Sequence, residues 1–191
     1  NDIERVGPEQ SIYACLLTPQ GKFLFDFFIS ELDGKLLLDV DKSRLPALMQ
    51  RLAMYMLRSD VALTDISEDY AVSALLGERI FAEADLDRTP GRTKTFCKGI
   101  AYIDPRDPAL FARGIIERKN NFQAFEAKGF SLGVMEAYTR LRIQHCVPDG
   151  AQDLIADKSF PLHFGLDALH AIDYKKGCYV GQEVTARTTH R

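Results

Sequence analysis

An α+β chain is the fold class that this sequence predicts, and three observations predict it. Apolar, aromatic-rich runs broken by turn signals open the chain, a helical repeat of apolar residues follows, and the texture changes beyond a Pro-Arg-Asp-Pro stop at 105–108. The composition, 46% apolar, 10% aromatic and 27% charged in 191 residues, is that of an ordinary globular protein. It excludes disordered, collagen-like and coiled-coil chains. A core of this size folds without disulfide or metal staples, as one large domain or two small ones.

The elements follow in order. Ser11 to Thr18 and Phe23 to Ser30 read as strands around the turn Pro19-Gln20-Gly21-Lys22, a hairpin. Lys35 to Val40, after the tight connection Asp33-Gly34, supplies a third strand. Asp41 and Ser43 offer N-cap oxygens and Pro46 suits a first turn. Leu45, Leu48, Met49, Leu52, Ala53 and Met56 then repeat at three and four residues, which predicts an amphipathic helix up to Arg58. Val61 to Ser67 and Tyr70 to Leu76 read as strands, or as a strand and a short helix, before a polar loop from Glu83 to Lys98. Lys98 to Asp104 restores a strand, and the series fits a ferredoxin-like α+β unit. Further on, Leu110 to Ile116 is apolar, a helix runs from Ser131 to about Gln144, and Phe164 to Leu169 is a second short apolar element.

Charge and cysteine usage narrow the function. Lys and Arg number 24 against 27 Asp and Glu, a net charge of −3, so the surface as a whole is not a nucleic-acid binder. The run Arg88, Arg92, Lys94 and Lys98 reads as a solvated loop. No apolar stretch approaches the roughly 20 residues that cross a bilayer, and no targeting segment is recognisable. Cys15, Cys97, Cys146 and Cys178 are scattered without metal-site spacing, which places the chain in a reducing compartment of cytoplasmic type. His145-Cys146 diverge on a helix and lack a third ligand; His163, His170 and His190 read as structural or exposed.

Chemistry concentrates at Lys175-Lys176-Gly177-Cys178-Tyr179-Val180-Gly181-Gln182-Glu183. Glycines on both sides of a thiol allow a sharp turn or the close approach of a ligand. A free thiol has a pKa of about 8.5, and neighbouring cations lower it, so Lys176 gives Cys178 a route to activation. The other reading makes Cys178 a small buried apolar residue with glycines that merely shape a turn.

Lys176 to Glu183 matches the pattern K-G-C-[FY]-x-G-Q-E, and by it the sequence resembles the YgfZ family, folate-binding proteins similar in fold to the glycine-cleavage T-protein, an aminomethyltransferase. Leu17 to Lys22, Arg140 to Ile143 and Asp157 to Leu162 extend the likeness along most of the chain. The resemblance implies a T-protein-like fold: a folate-binding subdomain of residues 1–15 and 106–191, a ferredoxin-like insertion at 16–105, and a C-terminal β-barrel beyond a fragment cut at both ends. It also implies tetrahydrofolate as cofactor, and iron-sulfur client enzymes or assembly factors as partners. The work would be cluster assembly or repair, indirectly supporting tRNA thiomodification without direct contact to nucleic acid or membrane. The compartment would be the cytoplasm, or the mitochondrial matrix in a eukaryote.

Carried over by residue, Cys178 is the functional thiol, with Lys176, Gly177, Tyr179, Gly181, Gln182 and Glu183 as its surroundings and Lys176 its catalytic partner. Asp26, Arg142, Gln144 and Gln182 are the folate-binding candidates; Arg140 lies two residues from Arg142 and cannot share its helix face. Asp26, inside an apolar strand, is either placed for a ligand or turned to a solvated face. Two departures weaken aminomethyl or one-carbon transfer, the alternative activity. Phe25 precedes Asp26 where T-proteins pair two acids, and Gln144 stands where they carry a pterin-gripping Glu, whose charge-assisted bonds are about twice as strong as neutral ones.

Overall fold

The computed structural model describes residues 1–189. Strands β1 (Ile12–Leu17), β2 (Phe23–Leu32) and β3 (Lys35–Asp39) form an antiparallel sheet in that order. The predicted helix is α1 (Leu45–Met56), and β4 (Tyr70–Leu75) and a short α2 (Arg79–Glu83) follow it. Strands β5 (Thr93–Phe96), β6 (Gly99–Ile103) and β7 (Ala112–Glu117) complete a second antiparallel sheet, ordered β4-β7-β6-β5. Helices α3 (Asn121–Ala127), α4 (Met135–Gln144) and α5 (Gln182–Thr189) come last.

Period-two alternation assigns each strand face. Ile12, Ala14, Phe27 and Ile29 turn outward from the first sheet and receive Leu48 of α1. Tyr13 and Phe28, one residue out of phase, meet Ile100, Tyr102 and Ile115 of the second sheet, with Leu154, Leu166 and Ala171 closing that layer. On the far side of the second sheet, Leu75, Phe96, Ala101, Ile103 and Ala112 pack with Ile80, Ala84 and Leu86, and with Phe125 and Phe130. The order is therefore helix, sheet, sheet, helices, an α+β arrangement.

Several expectations change. β4 pairs with β7 and not with the first three strands, so the strand-strand-strand-helix-strand series does not close into one ferredoxin-like sheet. β1 runs across residue 15, and β7, beyond residue 105, lies between β4 and β6. Residues 61–66 form no strand. β5 lies inside the stretch read as a loop because it is a short edge strand whose buried positions include a threonine: Thr93 Oγ1 lies 2.7 Å from Ser11 Oγ. α4 starts at Met135, after Val134 in an extended conformation, and not at Ser131. His190 lies outside the described residues.

Candidate functional site: the loop around Cys178

Residues 173–181 cross the surface without regular structure between a buried anchor and a helix. Ala171 and Ile172 are the anchor. Asp173 Oδ1 then accepts from Lys175 N at 2.8 Å, an Asx-type turn that lifts the chain into solvent. At the other end α5 begins at Gln182, whose Oε1 accepts from Tyr179 N at 3.4 Å. Gly181 (φ +86°) sits against the β1–β2 turn, where a Cβ would stand 2.6 Å from Thr18 O and 3.0 Å from Gly21 Cα. Gly21 (φ +72°) returns the constraint, since a Cβ there would meet Val184 Cβ at 3.0 Å. The signature's second glycine thus serves the approach of two pieces of backbone. Gly177 differs: nothing lies within 4 Å of where its Cβ would be.

Between these supports Cys178 is exposed, so its reading as a small buried apolar residue is excluded. Glu183 is exposed on α5. Lys176 Nζ donates to Asn1 O at 2.9 Å and stands 5.8 Å from the Tyr179 ring. A cavity of about 170 Å³ lies beneath, lined by Cys15, Leu17, Ala171, Asp173, Lys176 and Tyr179 among others, but not by Cys178, Asp26 or Arg142. The Tyr179 hydroxyl is buried without a hydrogen-bond partner among the described residues. Burial raises its pKa, with Tyr174, Cys15 and Asp173 adding to the rise. Burial also pushes the Cys15 thiol up to about 12, which removes it as a nucleophile at neutral pH.

The residues read as folate-binding occupy different places. Asp26 turns toward the inter-sheet layer and is half-buried: Tyr13 Oη donates to its Oδ2 at 2.8 Å, and a Cβ on Gly150 would stand 1.9 Å from its Oδ1. Burial raises the Asp26 pKa, opposed by the Tyr13 hydrogen bond and the Arg106 charge. Arg142 is the buried one of the arginine pair, but its Nη1 donates to Val147 O at 3.1 Å and to Asp153 Oδ2 at 2.8 Å. Those bonds fix residues 147–153, the loop that presses Gly150 onto Asp26. The fold therefore brings Asp26 and Arg142 together through that loop, whereas Gln144 is exposed on α4 and Gln182 opens α5 with its side chain bonded to Tyr179 N.

A buried ion network went unread in the sequence. Arg106 holds Asp104 through two bonds, Nε to Oδ1 at 3.0 Å and Nη2 to Oδ2 at 2.8 Å, and donates to Tyr138 Oη at 2.7 Å. Burial works against the charge on Arg106, and Asp104 more than offsets it. Arg113 Nε donates to Asp39 Oδ2 at 3.1 Å, and both guanidinium groups stand over the Phe28 ring, at 4.8 and 4.1 Å. In the sequence Pro105-Arg106-Asp107-Pro108 carries only a strand-stop signal, and Arg113 looks like a polar residue on an apolar strand. Among the described residues no group of three His, Cys, Asp or Glu is placed to hold a metal; His145 Nδ1 lies 3.1 Å from Asp107. No helix among them is long and apolar enough to cross a membrane.

The sequence is similar to named proteins along nearly its whole length. It is 36% identical over 189 residues to the mitochondrial iron-sulfur cluster assembly factor IBA57 homolog of Mycosarcoma maydis, covering 96% of this chain and 44% of the relative. The mouse mitochondrial iron-sulfur cluster assembly factor IBA57 is 29% identical over 198 residues, with 95% and 50% covered. The homolog in Dictyostelium discoideum is 25% identical over 221 residues, with 98% and 52% covered. The chain spans about half the length of the curated relatives it matches. No protein-family model matches the sequence. The chain is thus similar, along nearly its whole length, to proteins named as mitochondrial iron-sulfur cluster assembly factors.

Proposed function

We propose that this chain works in iron-sulfur cluster assembly, in mitochondria as its relatives' names state, with Cys178 as the residue that meets the cluster or its carrier. The observation that carries the reading is the exposed Cys178 thiol on a loop held at both ends, in a chain otherwise similar to such factors. The cluster is cargo. Iron-sulfur clusters are normally held by four thiolates, and Cys178 supplies one, so the remaining ligands come from a second chain or a small thiol. Asp173, Tyr179, Gly181 and Gln182 set the loop's path; Gly177 and Cys178 form its open part.

The resemblance also implied tetrahydrofolate. The residues carried over to it do not converge on one site: Asp26 bonds Tyr13, Arg142 bonds Val147 and Asp153, Gln144 is exposed on α4, and Gln182 bonds Tyr179. No step is derived through folate. A link to tRNA thiomodification would run through an iron-sulfur client enzyme.

The test is Cys178→Ala in cells. Iron-sulfur enzyme activity is expected to fall, while the purified variant melts within about 1 °C of the parent, as an exposed substitution does. Undiminished activity at normal protein level would refute the proposal.

A further inference from the structure

Residues Val61 to Ile66 have the sequence of a strand and form none. Their apolar side chains go elsewhere: Ala62, Leu63 and Ile66 line one side of a cavity of about 350 Å³ whose other walls come from β3, α1, β4 and β7. Small-molecule sites run from roughly 300 to 1,000 Å³. The shape of this one follows from β3, the outer strand of the first sheet. Successive strand residues point to opposite faces, yet Leu36, Leu37 and Leu38 all line the cavity. The space therefore bends around the outer edge of β3, from the layer where Val40 and Leu48 pack to the inter-sheet layer of Leu37 and Tyr70. The fold leaves these walls partly uncovered, with Leu36 52%, Leu38 37% and Val72 45% exposed.

Four charged groups lie in the lining, Asp39, Lys42, Asp65 and Arg118. Asp39 pairs with Arg113, and Lys42 is near enough to Asp65 to act on its charge. Arg118, just past β7, has Nη2 donating to Ser67 O at 2.7 Å and to Tyr70 O at 3.2 Å, two carbonyls that fix the guanidinium without neutralising it. Glu68, Asp69 and Glu117 stand outside the lining. We propose that this cavity binds an unbranched aliphatic chain with an anionic head, a medium-chain fatty acid, whose carboxylate meets Arg118. A flexible chain follows a bend around a strand edge, which a fused ring system cannot. An extended peptide added to β3 fits less well, because residues 61–66 already wall the cavity beside that strand. Cys178, Asp26, Arg142, Gln144 and Gln182 do not line it, so the site is separate from the signature loop and from the residues carried over to folate.

The test titrates the full chain by calorimetry with hexanoate, octanoate, decanoate and dodecanoate below their micellar concentrations, and with neutral decanol. Affinity should rise by up to about fourfold for each added methylene and level off once the cavity is full. Val72→Trp and Leu38→Trp each put a ring into the lining and should weaken decanoate roughly tenfold or more. Two such variants are made so that one which fails to fold, as its melting curve shows, leaves the other to decide. Arg118→Gln should weaken decanoate roughly threefold or more while decanol stays within about twofold of the parent.

Absence of saturable decanoate binding, an affinity that climbs with chain length without levelling, or folded tryptophan variants that bind like the parent would each overturn the proposal. Equal losses for decanoate and decanol in Arg118→Gln would overturn the placing of the head group. Neither result bears on Cys178, which these variants leave intact.

Discussion

Replacing Gly181 with Ala puts a Cβ 2.6 Å from Thr18 O and 3.0 Å from Gly21 Cα, both backbone atoms that cannot swing aside. The same residue has φ +86°, where an L side chain is strained by about 1–2 kcal/mol before any contact is counted. Separating the β1–β2 turn from α5 to relieve the contact loosens Val184 against Gly21, so the total cost is about 3 kcal/mol. For a chain of this size 1 kcal/mol moves the melting temperature by roughly 2–4 °C. A fall of roughly 6–12 °C is expected in a calorimetric melt. If α5 instead detaches locally, the loss appears as faster amide exchange at Thr185, which is buried and donates to Gly181 O at 3.2 Å. Gly177→Ala is the control, with open space and no positive φ, and should stay within about 0.5 kcal/mol. Equal stability of the Gly181→Ala and Gly177→Ala variants, with α5 amides equally protected in both, would refute the division of the signature into a packing glycine and an open one.

Asp26→Asn tests the half-buried carboxylate. A carboxyl whose pKa is raised by folding supports stability fully below its unfolded value and loses that support as pH rises through the folded value. The Asn variant should therefore gain on the parent in urea midpoint between pH 3.5 and pH 7, and a constant or opposite difference would contradict the burial. Asp104→Ala leaves the Arg106 guanidinium without its carboxylate among the inter-sheet aromatics; since breaking a buried pair from one side costs about 3–5 kcal/mol, the urea midpoint should fall steeply.

The first half of the chain is legible because its signals are local. Two apolar runs around Pro19-Gln20-Gly21-Lys22 and the three-four repeat from Leu45 need only period and turn chemistry, and β1, β2, β3 and α1 formed where those signals stood. What the sequence hides is pairing. Nothing in Tyr70–Leu75 tells that its partner is β7, some forty residues on and not the preceding strands, because both choices bury the same apolar face. β5 is hidden for a related reason, since an edge strand with Lys94 outward and Thr93 inward reads as a polar loop. At the site, the thiol and its glycines were visible as a motif, but their separate roles were not: a glycine at a backbone contact and a glycine beside open space are the same letter. Arg142 shows the limit of carry-over. A buried arginine on the predicted helix does exist, and its guanidinium is spent on Val147 and Asp153.

Tyr179 permits a last separation of packing from chemistry within the signature. Its hydroxyl is buried, borders the small cavity with Cys15 and Asp173, and has no hydrogen-bond partner among the described residues. An unsatisfied buried hydroxyl costs about 1–3 kcal/mol, so removing it while keeping the ring is neutral or favourable. Tyr179→Phe should then hold or raise the melting temperature, in keeping with a pattern that accepts either ring at this position. The Lys176 ammonium, 5.8 Å from that ring, keeps its contact with the aromatic face and its bond to Asn1 O in either case. If the Phe variant is instead less stable by more than about 1 kcal/mol, the hydroxyl is bonded, and the cavity of about 170 Å³ holds ordered water or a small ligand that Tyr179 grips. The signature loop would then carry a polar site beneath the thiol as well as the thiol itself.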